Sequence, residues 1–267
     1  MLRPGKWLLG AALLFVCAAD HAQTVQESVQ KAVNTELEAD AQDHTHWLYY
    51  EVDLQPGNNV EQWVAQTSQG SLKYVVERNG QKFEKEQQRQ AMDEYINDPA
   101  AQAKARKSGQ NDDRQAARML RRLPDAFIWT KGETHNGETV YHFKPNPDFT
   151  PATWQARVFA AMAGDMTVDD GQHRIAMLKG TLIHDVKFFF GIFGNLLAGG
   201  TFSVQRQQLA PGVWQITQAH IHIQGHALIF KSISEQEDDV KWKFKRLPDN
   251  LSLAQAEKLL LEQNDEK

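Results

Sequence analysis

The sequence predicts a mainly β, α+β chain: an incomplete antiparallel barrel of about eleven strands in a meander, with helices covering the concave side. Three observations predict it. Short aromatic and β-branched segments alternate with Gly, Asn, Asp and Pro turns along most of the chain. Most connections are too short for the crossover that a parallel pair needs, so neighbours run antiparallel. A single sheet of that many strands has to curl, and no fixed-length repeat points to a propeller.

The first residues stand apart. Arg3 and Lys6 precede an apolar run, Trp7 to Ala19, of 13 residues. As a helix it would rise only about 20 Å, against a hydrocarbon core of roughly 30 Å. Residues 1–22 therefore read as a signal peptide cut after Ala22 or Ala19. A lipoprotein reading at Cys17 meets Val16 where a small residue is wanted. Removal of Arg3, Lys6 and Asp20 changes 29 basic and 34 acidic side chains to 27 and 33. Export is the expectation, to the periplasm and open to outer-membrane association. Residues 23–267 then form one domain, whose mild acidity argues against a general nucleic-acid binder.

Val25, Val29, Val33 and Leu37 recur every four residues, which predicts an amphipathic helix over 24–43. Strands follow at 47–54, 60–67 and 71–78, and Asn79-Gly80 is a two-residue hairpin turn. A helical insert occupies 84–122: one helix from Glu84 to Ile96, a break at Asp98-Pro99, a loop at Ser108-Gly109, and a second helix from Asp112 to Arg122, closed by Pro124. Hairpins resume at Asp125, around Asn136-Gly137, Asp170-Gly171 and Pro211-Gly212. Thr150-Pro151 predicts an N-cap and a helix to Met162. Ser252 to Gln255 is a capping box opening a C-terminal helix, 252–263, with Leu253, Ala256 and Leu260 on one face. In the last strand Val240, Trp242 and Phe244 alternate with Lys241, Lys243 and Lys245, one side toward a core and the other toward water.

Residues 188–200 follow neither a period of two nor one of 3.6. Four Phe and four Gly fall within these 13 residues, combining apolar area with backbone freedom. The segment fits a mobile greasy connection lining or gating a cavity, and equally a buried turn.

Other residues carry a likeness. Tyr141-His142-Phe143-Lys144-Pro145, then Met162 through Asp169, then Arg174-Ile175-Ala176 and Lys179-Gly180, resemble exported bacterial proteins similar to the outer-membrane lipoprotein carriers, the LolA/LolB-like group. Gly199-Gly200-Thr201-Phe202 and Pro211-Gly212-Val213-Trp214 fit the same pattern. The resemblance covers about 125–247. It implies a half-barrel plugged by helices and an apolar cavity able to accept acyl chains. The chain is longer than the best-known carriers and its insert more basic, and Arg174 is assigned no role.

No GxSxG, HExxH, P-loop or CxxC is present. His44 and His46, and His220 and His222, are spaced to share a strand face, but no third ligand is marked, with His184 and His226 only available. Asp165, Asp169 and Asp170 fit turn chemistry better than a calcium loop. Lys104, Arg106, Lys107, Arg114, Arg118, Arg121 and Arg122 outnumber Asp112 and Asp113 over 99–122, a solvated face or a patch for anionic lipid or an acidic partner.

The expected function is therefore a non-catalytic envelope binding protein that shelters a hydrophobic ligand such as a lipid or lipoprotein acyl chain, with no enzyme activity, cofactor or metal. Phe188, Phe190, Ile192, Phe193, Leu196 and Leu197 are the cavity or lid candidates. The alternative is an envelope protein-protein interaction or sensor module without bound lipid.

Overall fold

Eleven strands form one antiparallel path that does not close on itself. The computed structural model describes residues 10–188, 194–227 and 231–263. The N-terminal strands are β1 (His46–Leu54), β2 (Val60–Thr67), β3 (Gly70–Arg78) and β4 (Gln81–Lys82). The later ones are β5 (Phe127–His135), β6 (Glu138–Pro145), β7 (Met162–Asp169), β8 (Arg174–Leu182), β9 (Val186–Phe188), β10 (Gly194–Leu196), β11 (Thr201–Ala210), β12 (Val213–Ala227) and β13 (Lys231–Leu247). Their order is β4-β3-β2-β1-β13-β12-β11-β8-β7-β6-β5, with β9 and β10 off this path. The two-residue hairpin chemistry holds at both Asn-Gly turns, whereas in the β7–β8 turn the positive φ, 55°, falls on His173 and not on Gly171. Asn79 and Gly80 take φ of 51° and 81°, Asn136 and Gly137 of 52° and 81°, the positive values a tight hairpin turn requires.

The sheet carries two main cores. Over β5–β8 lie α1 (Gly10–Gln42), through Val29, Ala32 and Val33, and the end of α3 (Pro99–Ala126), through Leu123 and Ala126. These pack on Phe127, Trp129, Tyr141, Phe143, Met166 and Leu182. The predicted stripe of α1 is the buried one, with Val25 and Leu37 partly covered at its ends. Over β1–β3 lie α2 (Lys85–Ile96), through Met92, and α5 (Leu253–Leu261), through Leu253, Ala256 and Leu260. The capping box at Ser252 is formed, with Gln255 donating its backbone N–H to the serine hydroxyl at 3.2 Å. A third cluster joins Trp47, Tyr49 and Val64 to Val213 and Phe244. Strand β1 is thus buried on both faces, as a strand covered on both sides must be.

Four sequence expectations change. The insert is not interrupted at Ser108-Gly109: α3 is one helix of 28 residues, with Asp98 capping it and Pro99 at its first position. A single helical glycine costs only about 1 kcal/mol, and the surrounding Ala, Lys, Arg and Gln together with packed ends outweigh it. Pro124 lies inside the last turn instead of beyond it. The short α4 (Trp154–Phe159) is capped by Thr153, whose hydroxyl accepts from the Ala156 N–H at 3.1 Å, and not by Thr150. In β13 the simple alternation fails, because Lys243 takes φ of 58° and the β1–β13 register shifts between Leu48 and Tyr50. Trp242 then packs with Tyr50, ring centroids 5.0 Å apart, while Phe244 packs with Tyr49 at 5.3 Å in a separate cluster. Lys241 is consequently drawn in beside Glu51 and Asp239 instead of facing water.

Candidate functional site

Among the described residues, the two-stranded flap β9–β10 pairs with the sheet through β10, by Gly194, Asn195 and Leu196 opposite Ala227, His226 and Gly225. Val186 and Leu196 are cross-strand partners within it. Both side chains are buried in the cluster that holds Leu182, with Phe202 and Ile223 packed against it. Gly225 is required here, since a Cβ on it would stand 2.3 Å from the Asn195 carbonyl oxygen. Of the six candidate residues, Leu196 is therefore core-facing and Leu197 half-buried. Phe188 ends β9, its side chain outside the described set, and Phe190, Ile192 and Phe193 lie outside the described residues.

Below the flap the sheet is shaped by two facing glycines. Phe143, Gly164, Gly180, Phe202 and Ile221 are successive cross-strand partners from β6 to β12. A Cβ on Gly180 would stand 2.6 Å from the Phe202 ring and 3.2 Å from that of Phe143. One on Gly164 would meet the Lys179 carbonyl oxygen at 2.0 Å. Gly180 lets the flanking rings lie over the sheet where a side chain would otherwise stand, and Gly164 lets the Lys179 backbone approach.

A cleft of about 230 Å³ opens at the base of the flap, lined by Phe149, Ala161 and Val186 together with Arg157, His184 and Asp185 among others. A second, of about 380 Å³, lies between the end of α1 and the β11–β12 turn, lined by Asp43, His44, Thr45, Gly212, Arg246 and Asp249 among others. Drug-sized ligands commonly occupy roughly 300–1,000 Å³. The flap cleft is smaller than that, and the larger cleft is ringed by polar groups.

Charged side chains gather at four places. Glu36, fully buried on α1, accepts from Arg174 Nε at 2.9 Å and Nη2 at 3.0 Å, from the Ile175 N–H at 2.6 Å, and from Arg206. Arg174 also lies 5.9 Å from the Trp214 ring centroid. Burial pushes the neighbouring Asp40 carboxyl up, with Arg206 opposing. On β13, burial raises Asp239, while Lys241, though itself buried, is held above its usual value by Asp239 and Glu51. Burial, with Glu51 and Asp239 nearby, also pushes the Tyr49 hydroxyl strongly up. The third group brings His220 Nδ1 and His222 Nε2 onto one oxygen of Asp238, at 2.7 and 2.9 Å. The His220 hydrogen bond is the main cause holding Asp238 below the ordinary range. The fourth sets Asp165 between His142 at 2.6 Å and Lys179 at 3.2 Å, which outweigh its partial burial and lower it.

The sequence singled out His220 and His222 without their carboxylate, which β13 supplies directly opposite His220. His44 precedes β1, so it and His46 do not form a strand pair. Among the described residues no group of three or more His, Cys, Asp or Glu side chains is arranged to hold a metal ion. Asp169 accepts from the Gln172 N–H at 2.7 Å, ordinary turn chemistry. Glu36 stands seven residues after Val29 on the apolar stripe of α1, and a charge on that stripe is the sequence signal for this cluster. No protein-family model, curated protein or solved structure matches the chain.

Proposed function

We propose that this chain is a non-catalytic binding protein of the bacterial cell envelope, which shelters an apolar chain beneath the β9–β10 flap in the manner of the lipoprotein carriers its 125–247 segment resembles. The observation that carries the reading is the flap: a short ladder ties it to the sheet, yet it covers the apolar face made by Leu182, Phe202 and Ile223. Lifting it uncovers Val186 and Leu196, at a cost of about 1.5–3 kcal/mol each. An acyl chain of 16 carbons gains on the order of 12 kcal/mol gross by leaving water. The exchange favours an occupied state even though the closed cleft is small.

The second reading is an interaction or sensor module without lipid. It is favoured by α1, whose Val29, Ala32 and Val33 fill the inner face and whose Glu36 fixes the helix to β8 and β11.

Titration with a fluorescent acyl probe separates the two. The carrier reading expects saturable binding that is lost when Asn195→Cys and His226→Cys, Cα partners across β10 and β12, are oxidised to a disulfide, and regained on reduction. Absence of probe binding in the reduced form and in the wild-type chain supports the interaction module.

A further inference from the structure

We infer that α3 is a docking surface for an anionic phospholipid membrane, on which it lies flat through one stripe of basic side chains. At 100° per residue, Lys104, Lys107, Arg114, Arg118, Arg121 and Arg122 fall within an arc of about 100°. Asp112 and Asp113 fall about 130° to either side of its centre. The side chains that pack on the body, Leu120 and Leu123, lie across the helix from the stripe.

The helix holds this stripe clear of the protein. Its ends are fastened: Gln102 donates to the carbonyls of Tyr95 and Ile96 at 2.9 Å, Arg106 donates to that of Gln69 at 2.9 Å, and Leu123 and Ala126 enter the core. Between them residues 103–116 are exposed on every side. All six basic residues of the stripe are exposed, and no ion pair to a carboxylate is formed by any of them among the described residues. Like charges four apart, as in Arg114–Arg118 and Arg118–Arg122, weaken an isolated helix. The arrangement is therefore maintained at a local cost to α3.

Charge, shape and composition select the occupant. The stripe runs straight for about 27 Å from Lys104 to Arg122, on a chain of net charge −5. A straight row of cations matches a planar array of phosphate headgroups. It contains no aromatic or large apolar anchor such as protein interfaces concentrate their energy in, and no ring on which a nucleic-acid base would stack. This inference is independent of the flap, since the stripe acts whether or not an apolar ligand is bound.

Cosedimentation with vesicles tests it, using the full chain. Vesicles containing phosphatidylglycerol should pull down the protein, phosphatidylcholine vesicles should not, and added salt should release it. At roughly fivefold per basic residue, the triple variant Lys107→Gln, Arg114→Gln, Arg118→Gln should weaken partitioning on the order of 100-fold. A control triple at exposed positions elsewhere, Lys73→Gln, Lys144→Gln, Lys245→Gln, should change it far less. Circular dichroism of both variants checks that the helix content is retained. Equal loss in the two triples, no dependence on phosphatidylglycerol, or binding to an acidic polypeptide or DNA fragment without vesicle binding would overturn the inference.

Discussion

Glu36 and Arg174 meet face to face, both carboxylate oxygens accepting from the guanidinium at 2.9 and 3.0 Å with neither side chain more than 5% exposed. The pair joins α1 to β8 across 138 residues of sequence, and Arg206 extends it to β11. Taking such charges out of water costs several kcal/mol per ion before their attraction is counted. The cluster therefore fixes where α1 sits more than it adds stability. Glu36→Ala leaves the buried Arg174 guanidinium without its carboxylate and Arg206 with Asp40 as its remaining one, and should cost about 3–5 kcal/mol in urea denaturation. Replacing the three charges together, as Glu36→Leu, Arg174→Met and Arg206→Met, should recover much of that loss. Equal destabilisation by the single and triple changes would count against this view.

The facing glycines give an ordered pair of expectations. Gly180→Ala pushes against the Phe202 ring, a side chain able to turn, and should cost about 1–3 kcal/mol. Gly164→Ala meets the Lys179 backbone carbonyl, which cannot turn away without disturbing the β7–β8 ladder, so its loss should be the larger. Denaturation midpoints check the order, and a milder effect at Gly164 would refute the packing described.

Adjacent aspartates on β13 should respond to pH with opposite signs. Asp238 is held low by His220 and His222, so the stability it contributes is present above its unfolded value near 3.8 and lost as pH falls through its depressed folded value. Asp239 is raised, with burial the largest cause, so its contribution is present below that unfolded value and lost as pH rises through its raised one. Carboxyl NMR titration should find Asp238 ionising below the usual aspartate range and Asp239 above it. The reverse order would contradict the geometry.

Much of the fold was legible because its signals are local. Asn79-Gly80 and Asn136-Gly137 specify positive φ, the four-residue spacing of Val25 to Leu37 specifies a helix face, and Ser252 to Gln255 specifies a cap. What escaped depends on distant partners. Nothing near Leu48 or Lys243 announces that β1 will pair with β13, so neither the shifted register nor the separation of Trp242 from Phe244 could be read in advance. The continuity of α3 rests on anchors at both its ends, which a glycine in its middle concealed. At the candidate site the histidines on β12 were visible, but Asp238 joins them only through the strand pairing. The greasy segment was visible by composition, and the structure adds the partners of Val186 and Leu196.

Ser252→Ala, by removing the hydroxyl that caps α5, should cost about 1 kcal/mol and loosen the packing of Leu253, Ala256 and Leu260 over β2 and β3. A thermal melt with unchanged midpoint would show the cap to be dispensable.

Native mass spectrometry of protein purified without detergent tests the central proposal most directly. Species heavier than the bare polypeptide by the mass of a lipid or acyl chain, released on activation, are the expected result. A spectrum of bare polypeptide alone, from cells and buffers that never met detergent, would contradict it.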